Sequence, residues 1–136
     1  MQIAPDLLQQ IVAHAQRDAP DECCGFVWLE GDRAVEVVEV ENVAHSPFRF
    51  EVGPSDLFAL AESGEDGRRA VIYHSHTRSA PRPSQTDVNF AANWPGVEWL
   101  IVGLAGGGGG EPEVRNWRID PDGTVLEVEV RVDAGV

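Results

Sequence analysis

Two histidines at the end of a compact apolar strand restrict the fold of this chain more than any other feature of its sequence. Residues 70–76 read Ala-Val-Ile-Tyr-His-Ser-His, a run that predicts a buried strand ending in His74 and His76. Side chains two positions apart project from the same face of a strand, so both imidazoles point the same way. Two imidazoles that converge from one strand end make half of a tetrahedral metal site. The rest of such a site has to come from another part of the chain.

The segment that follows supplies a candidate third ligand. Residues 77–83 hold two prolines and no apolar periodicity, which predicts a loop, and Ser84 then opens a helix that carries Asp87 in its first turn. When the loop doubles back, Asp87 lies beside the histidines. Two neutral nitrogens and one carboxylate leave a fourth position for water, a pattern typical of catalytic zinc sites. Because these ligands suit zinc better than magnesium or calcium, we predict one zinc ion per chain.

Asp87 also fits a second role. Ser84-Gln85-Thr86-Asp87 is an S-x-x-D variant of the capping box, in which Ser84 caps the helix and Asp87 reaches back to it. Taken alone, this pattern favours the cap, whereas the histidines upstream favour the metal ligand. A helix N-terminus stabilises an ionised carboxylate, which lowers the competition of protons for such a ligand.

Hydrophobic periodicity and turn residues divide the rest of the chain into short elements. Helices are predicted at residues 5–18, 55–63 and 84–93, and strands at 23–29, 33–41, 48–52, 70–76, 98–104, 114–119 and 125–132. This order predicts an α+β fold in which a mixed central sheet of about six strands is flanked by three helices. At 136 residues the chain fits a single domain, 1–136.

Two segments of this division are predicted as irregular structure. Residues 64–67 form a polar turn between the second helix and the next strand. Five consecutive glycines at residues 106–110 lack a following Lys-Ser or Lys-Thr, which favours a flexible connection over a phosphate cradle.

Charge and hydropathy exclude several classes of partner. The net charge is −13 and all ten basic residues are arginine, so the surface repels phosphate backbones and we expect no nucleic-acid binding. No apolar run approaches the ~20 residues that span a bilayer, and the N-terminus has no secretory pattern. We therefore expect no membrane contact and a cytoplasmic location. The oligomeric state stays open, although an exposed strand edge could support a homodimer.

Cys23 and Cys24 are adjacent at the start of the first long strand. Neighbouring cysteines pair only with strained backbone geometry, so we predict two buried thiols rather than a disulfide. A redox or regulatory role is the alternative, because the two cysteines directly follow Glu22.

The spacing of the candidate ligands resembles a known motif. His-x-His, separated by ten residues from an aspartate, with Pro83-Ser84 directly before the helix, is similar to the JAMM (MPN+) metalloprotease motif. That family adds an upstream glutamate, commonly followed by a small or thiol-bearing residue and glycine. Glu22-Cys23-Cys24-Gly25 matches this addition.

The resemblance implies a role for each matching residue. His74, His76 and Asp87 would ligate zinc. Glu22 would accept a proton from the attacking water and later deliver it to the leaving amine. Ser84 would help to hold the oxyanion of the tetrahedral intermediate.

Two differences from the ubiquitin-specific members of the family narrow the group that this chain resembles. Many members specialised for ubiquitin isopeptides have proline directly after the second histidine, where this chain has Thr77, and they use insertions for which this chain has little room. In both respects it is similar to small bacterial peptidases of sulfur-carrier proteins, which cleave after a ubiquitin-like Gly-Gly tail and free cysteine or a short C-terminal extension. A non-catalytic scaffold of the same fold is the alternative. A zinc nucleoside deaminase would need H-x-E or C-x-E followed by P-C-x-x-C, which is absent.

Two arginines on the loop after the histidines suggest how the product is recognised. Arg78 or Arg82 could pair with the carboxylate of the released residue, since guanidinium groups bind carboxylates through two parallel hydrogen bonds. Alternatively, both are solvated side chains of a polar loop.

Overall fold

The computed structural model describes residues 1–62, 68–104 and 111–133, and these contain three helices and eight strands. In chain order the elements are β1 (Gln2–Ile3), α1 (Pro5–Asp18), β2 (Cys24–Glu30), β3 (Arg33–Val40), α2 (Pro54–Glu62), β4 (Arg69–His76), α3 (Gln85–Ala91), β5 (Glu98–Gly103), β6 (Glu113–Ile119), β7 (Val125–Val128) and β8 (Arg131–Val132). The predicted turn at 64–67 and the glycine run at 106–110 lie outside the described residues. Among the described helices, none has the length and apolar character needed to cross a membrane.

One mixed sheet with the strand order β7-β6-β5-β4-β2-β3-β1-β8 forms the frame of the fold. Its central strand β4 pairs antiparallel with β2 and parallel with β5. A parallel pair needs a crossover connection, and α3 lies in the connection between β4 and β5. Cys24 lies opposite His74 in the β2–β4 register. The chain just before β2 therefore passes beside the histidines.

The sheet separates two hydrophobic clusters. On one face, Ile11 of α1 belongs to the same buried cluster as Tyr73 of β4. On the other face, Ile72 of β4 belongs to a cluster with Trp99 of β5. Because side chains alternate along a strand, His74 projects from the same face as Ile72. The histidines thus lie on the face that α1 does not cover.

The α+β class and the three helices are confirmed, but the sheet has more strands than predicted. Residues 125–132, predicted as one strand, are divided into β7 and β8, which lie at opposite ends of the sheet. Since only residues 129 and 130 separate these strands in the chain, the sheet curls until its two edges are neighbours. The short strands β1 and β8, of two residues each, account for the difference between about six and eight.

The predicted strand at residues 48–52 is wrong, because only Val52 forms an isolated bridge, with Asn42. The buried amide of Asn42 holds this segment as a loop instead. Its Nδ2 donates to the carbonyl oxygens of Glu22 at 2.9 Å and Arg49 at 3.1 Å. Its Oδ1 accepts from two backbone N–H groups of the same loop, both at 3.0 Å. The hydrogen bonds of the Asn42 side chain therefore hold this segment as a loop and connect it to the backbone of Glu22.

Gly25 of β2 and Tyr73 of β4 are opposite each other at a place where a side chain does not fit. A Cβ at Gly25 would lie 2.3 Å from atoms of the Tyr73 ring. The hydroxyl of Tyr73 is 2.7 Å from Nδ1 of His14, and Nε2 of His14 is 3.2 Å from Asp18. The glycine thus makes room for a ring that ties α1 to β4 through a buried hydrogen bond.

Replacement of Tyr73 tests the contribution of its hydrogen bond to His14. We expect Tyr73→Phe to lower the free energy of unfolding by about 1–3 kcal/mol, because Nδ1 of His14 is left buried without a partner. Urea denaturation followed by tryptophan fluorescence measures the change. In the double variant His14→Leu/Tyr73→Phe both polar partners are gone, so its loss should be smaller than the sum of the two single losses. A Tyr73→Phe protein as stable as the wild type would contradict this account.

Candidate metal centre

The structure brings together the three residues that the sequence singled out as metal ligands. Nε2 of His74 lies 3.4 Å from Oδ1 of Asp87, and Nε2 of His76 lies 3.2 Å from Oδ2 of the same carboxylate. One ligand atom from each residue can be chosen so that all lie within 4.8 Å of one another, and all three residues are buried. Zinc bonds of about 2.0–2.1 Å at tetrahedral angles place neighbouring ligand atoms about 3.3 Å apart. The two nitrogen–oxygen separations, each to a different oxygen of Asp87, are close to that spacing.

His74 provides an independent test of whether these residues fit a metal ion. Both of its ring nitrogens are buried, and neither has a hydrogen-bond partner within the part of the chain that the structure describes. An unpartnered buried polar atom costs about 1–3 kcal/mol. A cation bound at Nε2 would satisfy one of these atoms, and the stacked ring of Phe50, with its centroid 4.5 Å away, holds the imidazole in place. The donor set and its unmet bonding capacity therefore fit a divalent metal ion.

The orientation of His76 is set by a backbone carbonyl. Its Nδ1 lies 2.9 Å from the oxygen of Ala80. A carbonyl oxygen only accepts, so Nδ1 carries the proton, and in the neutral ring Nε2 presents its lone pair. This second contact fixes the ring nitrogen that faces Asp87, as is common for histidine ligands of metals.

Both roles predicted for Asp87 are present at once. Ser84 is the N-cap of α3: its Oγ accepts from the N–H of Asp87 at 3.1 Å, and its own N–H donates to Oδ2 of Asp87 at 2.9 Å. The same carboxylate faces both imidazoles. The capping box is therefore the device that aims the candidate ligand, and the two interpretations do not compete.

Burial and neighbouring groups shift the pKa values at the centre in different directions. Burial alone would raise the pKa of Asp87, but the histidines and the Ser84 N–H lower it to about 2. Burial lowers the pKa of His74 to about 4. Burial also opposes the charge on His76, but its hydrogen bonds to Asp87 and Ala80 and the nearby carboxyl groups of Asp87 and Glu22 together outweigh burial and raise the pKa of His76. At neutral pH the centre therefore presents an ionised carboxylate and a neutral His74 imidazole, which are the forms that bind metals.

Glu22 lies at the edge of this group, buried beside the histidines. Its Oε1 is 3.8 Å from Nδ1 of His74, too far for a hydrogen bond. Its backbone N–H donates to the Ser46 carbonyl at 2.9 Å, and the next N–H, of Cys23, donates at 2.8 Å to the hydroxyl of Ser75 between the two histidines. Burial raises the pKa of Glu22 to about 8. The backbone on both sides of Glu22 is thus fastened, which places the carboxyl group at the rim of the centre.

A cavity of about 170 Å³ joins the candidate catalytic residues. Glu22, His76 and the exposed Ser84 line it together with Phe48, Thr77 and Arg78. Thr77 donates from its hydroxyl to the carbonyl of Pro47 at 3.2 Å, which fastens the loop that contains Phe48 to the loop after the histidines.

Asn42, Phe48 and Phe50 were missed by the sequence reasoning, because the alternation of residues 48–52 indicated a strand.

Cys23 and Cys24 are both free and fully buried. Burial raises the pKa of each thiol to about 12. The thiolate is the reactive form of cysteine, and at neutral pH neither residue forms it to a useful extent. Their environment favours the structural interpretation over a redox role.

The chain is similar in sequence and in fold to known proteins. A family model for prokaryotic homologs of the JAB domain matches residues 4–120. The chain is 36% identical over 137 residues to the CysO-cysteine peptidase of Mycobacterium tuberculosis H37Rv, with 96% of this chain and 89% of that protein covered. It is 32% identical over 114 residues to the desampylase of Pyrococcus furiosus, with 82% and 76% covered. The crystal structure of a JAB1/MPN domain protein from Archaeoglobus fulgidus has the same fold, with a TM-score of 0.60, 22% identity and 97% and 98% of the two chains covered.

Asp87 offers a test that separates metal binding from helix capping. We expect Asp87→Asn to weaken metal binding by more than about 100-fold, because loss of a ligand should exceed the 10–100-fold typical for outer-shell partners. Competition with a chelating dye gives the affinity. The matched variant Ser84→Ala removes the side-chain cap, which costs about 0.5–2 kcal/mol of stability, but keeps all three candidate ligands and should keep the metal. Wild-type affinity in Asp87→Asn would contradict the assignment.

Proposed function

The chain belongs to the family of prokaryotic JAB-domain homologues, and on that premise we propose that it is a zinc-dependent peptidase acting on sulfur-carrier or ubiquitin-like proteins. It hydrolyses the bond after a C-terminal Gly-Gly and releases cysteine or a short extension. The observation that carries the proposal is the convergence of His74, His76 and Asp87 beside the buried Glu22, at a cavity that His76, Glu22 and Ser84 line. The relatives named as a peptidase and a desampylase support it.

The two histidines and Asp87 would hold the zinc ion. When bound there, zinc polarises a carbonyl group and makes hydroxide available from water near neutral pH. The protein contributes the fixed geometry: the Ala80 carbonyl orients one ring, Phe50 stacks on the other, and the capping box orients the carboxylate.

Glu22 moves the proton. A cation held by the histidines and Asp87 would lower the pKa of the nearby Glu22 from its raised value. The ionised carboxylate would then accept a proton from the attacking water and donate it to the amine that leaves. The C–N bond breaks, the oxygen of water stays with the new glycine carboxylate, and the amine departs with the proton. Burial of Glu22 at the rim, with its backbone fastened on both sides, keeps the carboxyl group within the cavity where the bond is cut.

Ser84 can stabilise the oxyanion without giving up its role as a cap. Its oxygen accepts the N–H of Asp87, and a hydroxyl has one donor in addition to its acceptor sites. The O–H is therefore free to donate into the cavity that Ser84 lines with Glu22 and His76. One such donor aimed at a developing oxyanion is worth roughly 10²–10³-fold in rate in studied proteases.

The walls of the cavity favour a substrate tail without side chains. Pro47 and Phe48 lie on one loop and Thr77 and Ser79 on the other, and the bond from Thr77 to Pro47 holds the two loops together. A Gly-Gly tail needs the least room beside these loops, because it has no side chains. The single domain, the cytoplasmic location and the homodimer stay predictions.

Glu22→Gln separates an enzyme from a scaffold. We expect cleavage of a sulfur-carrier substrate to fall by roughly 10²–10⁴-fold, because the proton-transfer group is lost. Bound zinc, measured by elemental analysis, should stay at one ion per chain. Glu41→Gln is the matched control, since Glu41 is exposed, and it should cleave at the wild-type rate. Zinc-loaded wild-type protein with no activity on any such substrate would favour the scaffold.

The Gly-Gly requirement has its own test. A carrier protein that ends in Gly-Gly-Cys should be shortened by one residue, with mass spectrometry locating the cut after the second glycine. Replacing Gly-Gly by Ala-Ala in the substrate should reduce kcat/KM by at least about 10-fold, since each added methyl group must fit between the loop walls. Equal cleavage of both substrates would contradict selection by exclusion.

A further inference from the structure

Arg78 and Arg82 differ from every other arginine of the chain in their ion pairs. Eight of the ten arginines have a carboxylate oxygen within 4.0 Å. Within residues 1–62, 68–104 and 111–133, Arg78 and Arg82 have none. In a chain with a net charge of −13, acidic groups are abundant around most cations. The two guanidinium groups without such a partner both lie on the loop between the histidines and Asp87.

The surroundings of the two arginines are not equivalent. The guanidinium of Arg78 lies over the ring of Phe48, 5.7 Å from its centroid, and Arg78 lines the cavity that Glu22, His76 and Ser84 share. The guanidinium of Arg82 lies over the ring of Trp117 at 5.4 Å, and Arg82 is not part of that cavity wall. The structure therefore distinguishes Arg78, which lines the cavity, from Arg82, which does not, whereas the sequence left both as candidates.

Contact with Phe48 holds the Arg78 guanidinium but leaves its donors free. A cation above an aromatic ring interacts through its face, whereas the five N–H donors lie in the guanidinium plane. Phe48 itself is 73% exposed, so its ring lies at the surface, where the guanidinium covers it. Arg78 is thus positioned at the cavity with unused capacity to bind a carboxylate through two hydrogen bonds.

The distribution of charged residues around Arg78 indicates where an anionic group of a substrate would bind. Asp18, Asp21 and Glu41 line a second cleft that shares Glu22 with the cavity. An anionic group of a substrate would be repelled by these acids. Next to Arg78 it would instead be attracted.

Resting on the proposed function, we propose that Arg78 binds the α-carboxylate of the residue released from the C-terminus, and so selects substrates that end one residue beyond Gly-Gly. Hydrolysis frees an α-amine, which takes its proton from Glu22, on a carbon that also bears this carboxylate. Glu22 and Arg78 line one cavity of about 170 Å³, similar to a cavity that accepts benzene, so it suits one small residue. The ε-amine of an isopeptide-linked lysine brings no carboxylate on the neighbouring carbon.

Two substrates that differ only in their last group test this inference. One carrier protein ends in Gly-Gly-Ala with a free carboxylate, and the other ends in the same sequence with a carboxamide. Wild-type enzyme should prefer the free acid by roughly 10–100-fold in kcat/KM, the range expected for a hydrogen-bonded charge pair. In Arg78→Ala this ratio should fall to near one, mainly through a higher KM for the acid. Arg78→Lys should keep part of the preference, and the matched control Arg82→Ala should keep all of it.

A binding measurement makes the test independent of turnover. In the Glu22→Gln background, calorimetry with the intact free-acid substrate should show an affinity about 10-fold or more weaker when Arg78→Ala is added, with no such change for Arg82→Ala. Equal cleavage of acid and amide by the wild type, or a preference that survives Arg78→Ala, would overturn the role of Arg78 while leaving the peptidase function intact. Failure of the zinc-loaded wild type to cleave either substrate would overturn the proposed function and this inference with it.

Discussion

The meeting of one carboxylate with two imidazoles is the interaction on which the rest of this structure depends. Asp87 is buried, and a buried charge is tolerated only where it is paired and hydrogen-bonded. The two histidine rings and the Ser84 N–H together lower its pKa to about 2. Because the same contacts cap the helix, the element that carries the candidate ligand and the ligand itself are set by a single arrangement.

The sheet supports that arrangement from behind. β4 is buried over seven of its eight residues, with α1 against one face and the histidines on the other. The Tyr73 ring occupies the space that Gly25 leaves open and bonds to His14, which fixes the strand that bears His74 and His76. The glycine of the Glu-Cys-Cys-Gly segment thus has a packing reason. Sites built on strands that are held this firmly keep their side chains in one geometry.

Two irregular loops supply what the sheet cannot. The loop after β3 is organised by one buried amide, that of Asn42, and it provides Phe50 beneath His74 and Phe48 beside Arg78. The loop after β4 carries Thr77, which fastens the two loops to each other. The result is a cavity with the buried carboxyl group of Glu22 and the cationic guanidinium of Arg78 in its wall. This arrangement suits a leaving group whose amine and carboxylate are attached to the same carbon.

Local pattern was enough for much of this protein. The spacing of His74 and His76 follows from the two-residue repeat of a strand, and α1 was predicted over residues 5–18, the bounds that the structure has. The segment Ser84-x-x-Asp87 predicted both the helix cap and the candidate metal ligand, since capping is a contact between near neighbours in sequence. Each of these features depends on geometry within one or two turns of chain.

Only the tertiary structure decided the features that depend on distant partners. Residues 48–52 alternate like a strand, yet the Asn42 side chain binds the Arg49 carbonyl and the Glu51 N–H, and no sequence pattern marks that competition. The split of residues 125–132 follows from the closing of the curled sheet, which brings β8 to β1 at its far edge. Arg78 and Arg82 are alike in sequence and differ only in the ring and cavity beside them. Periodicity specifies which way a side chain points along its own element, whereas the group it meets is set by how elements far apart in the chain pack together.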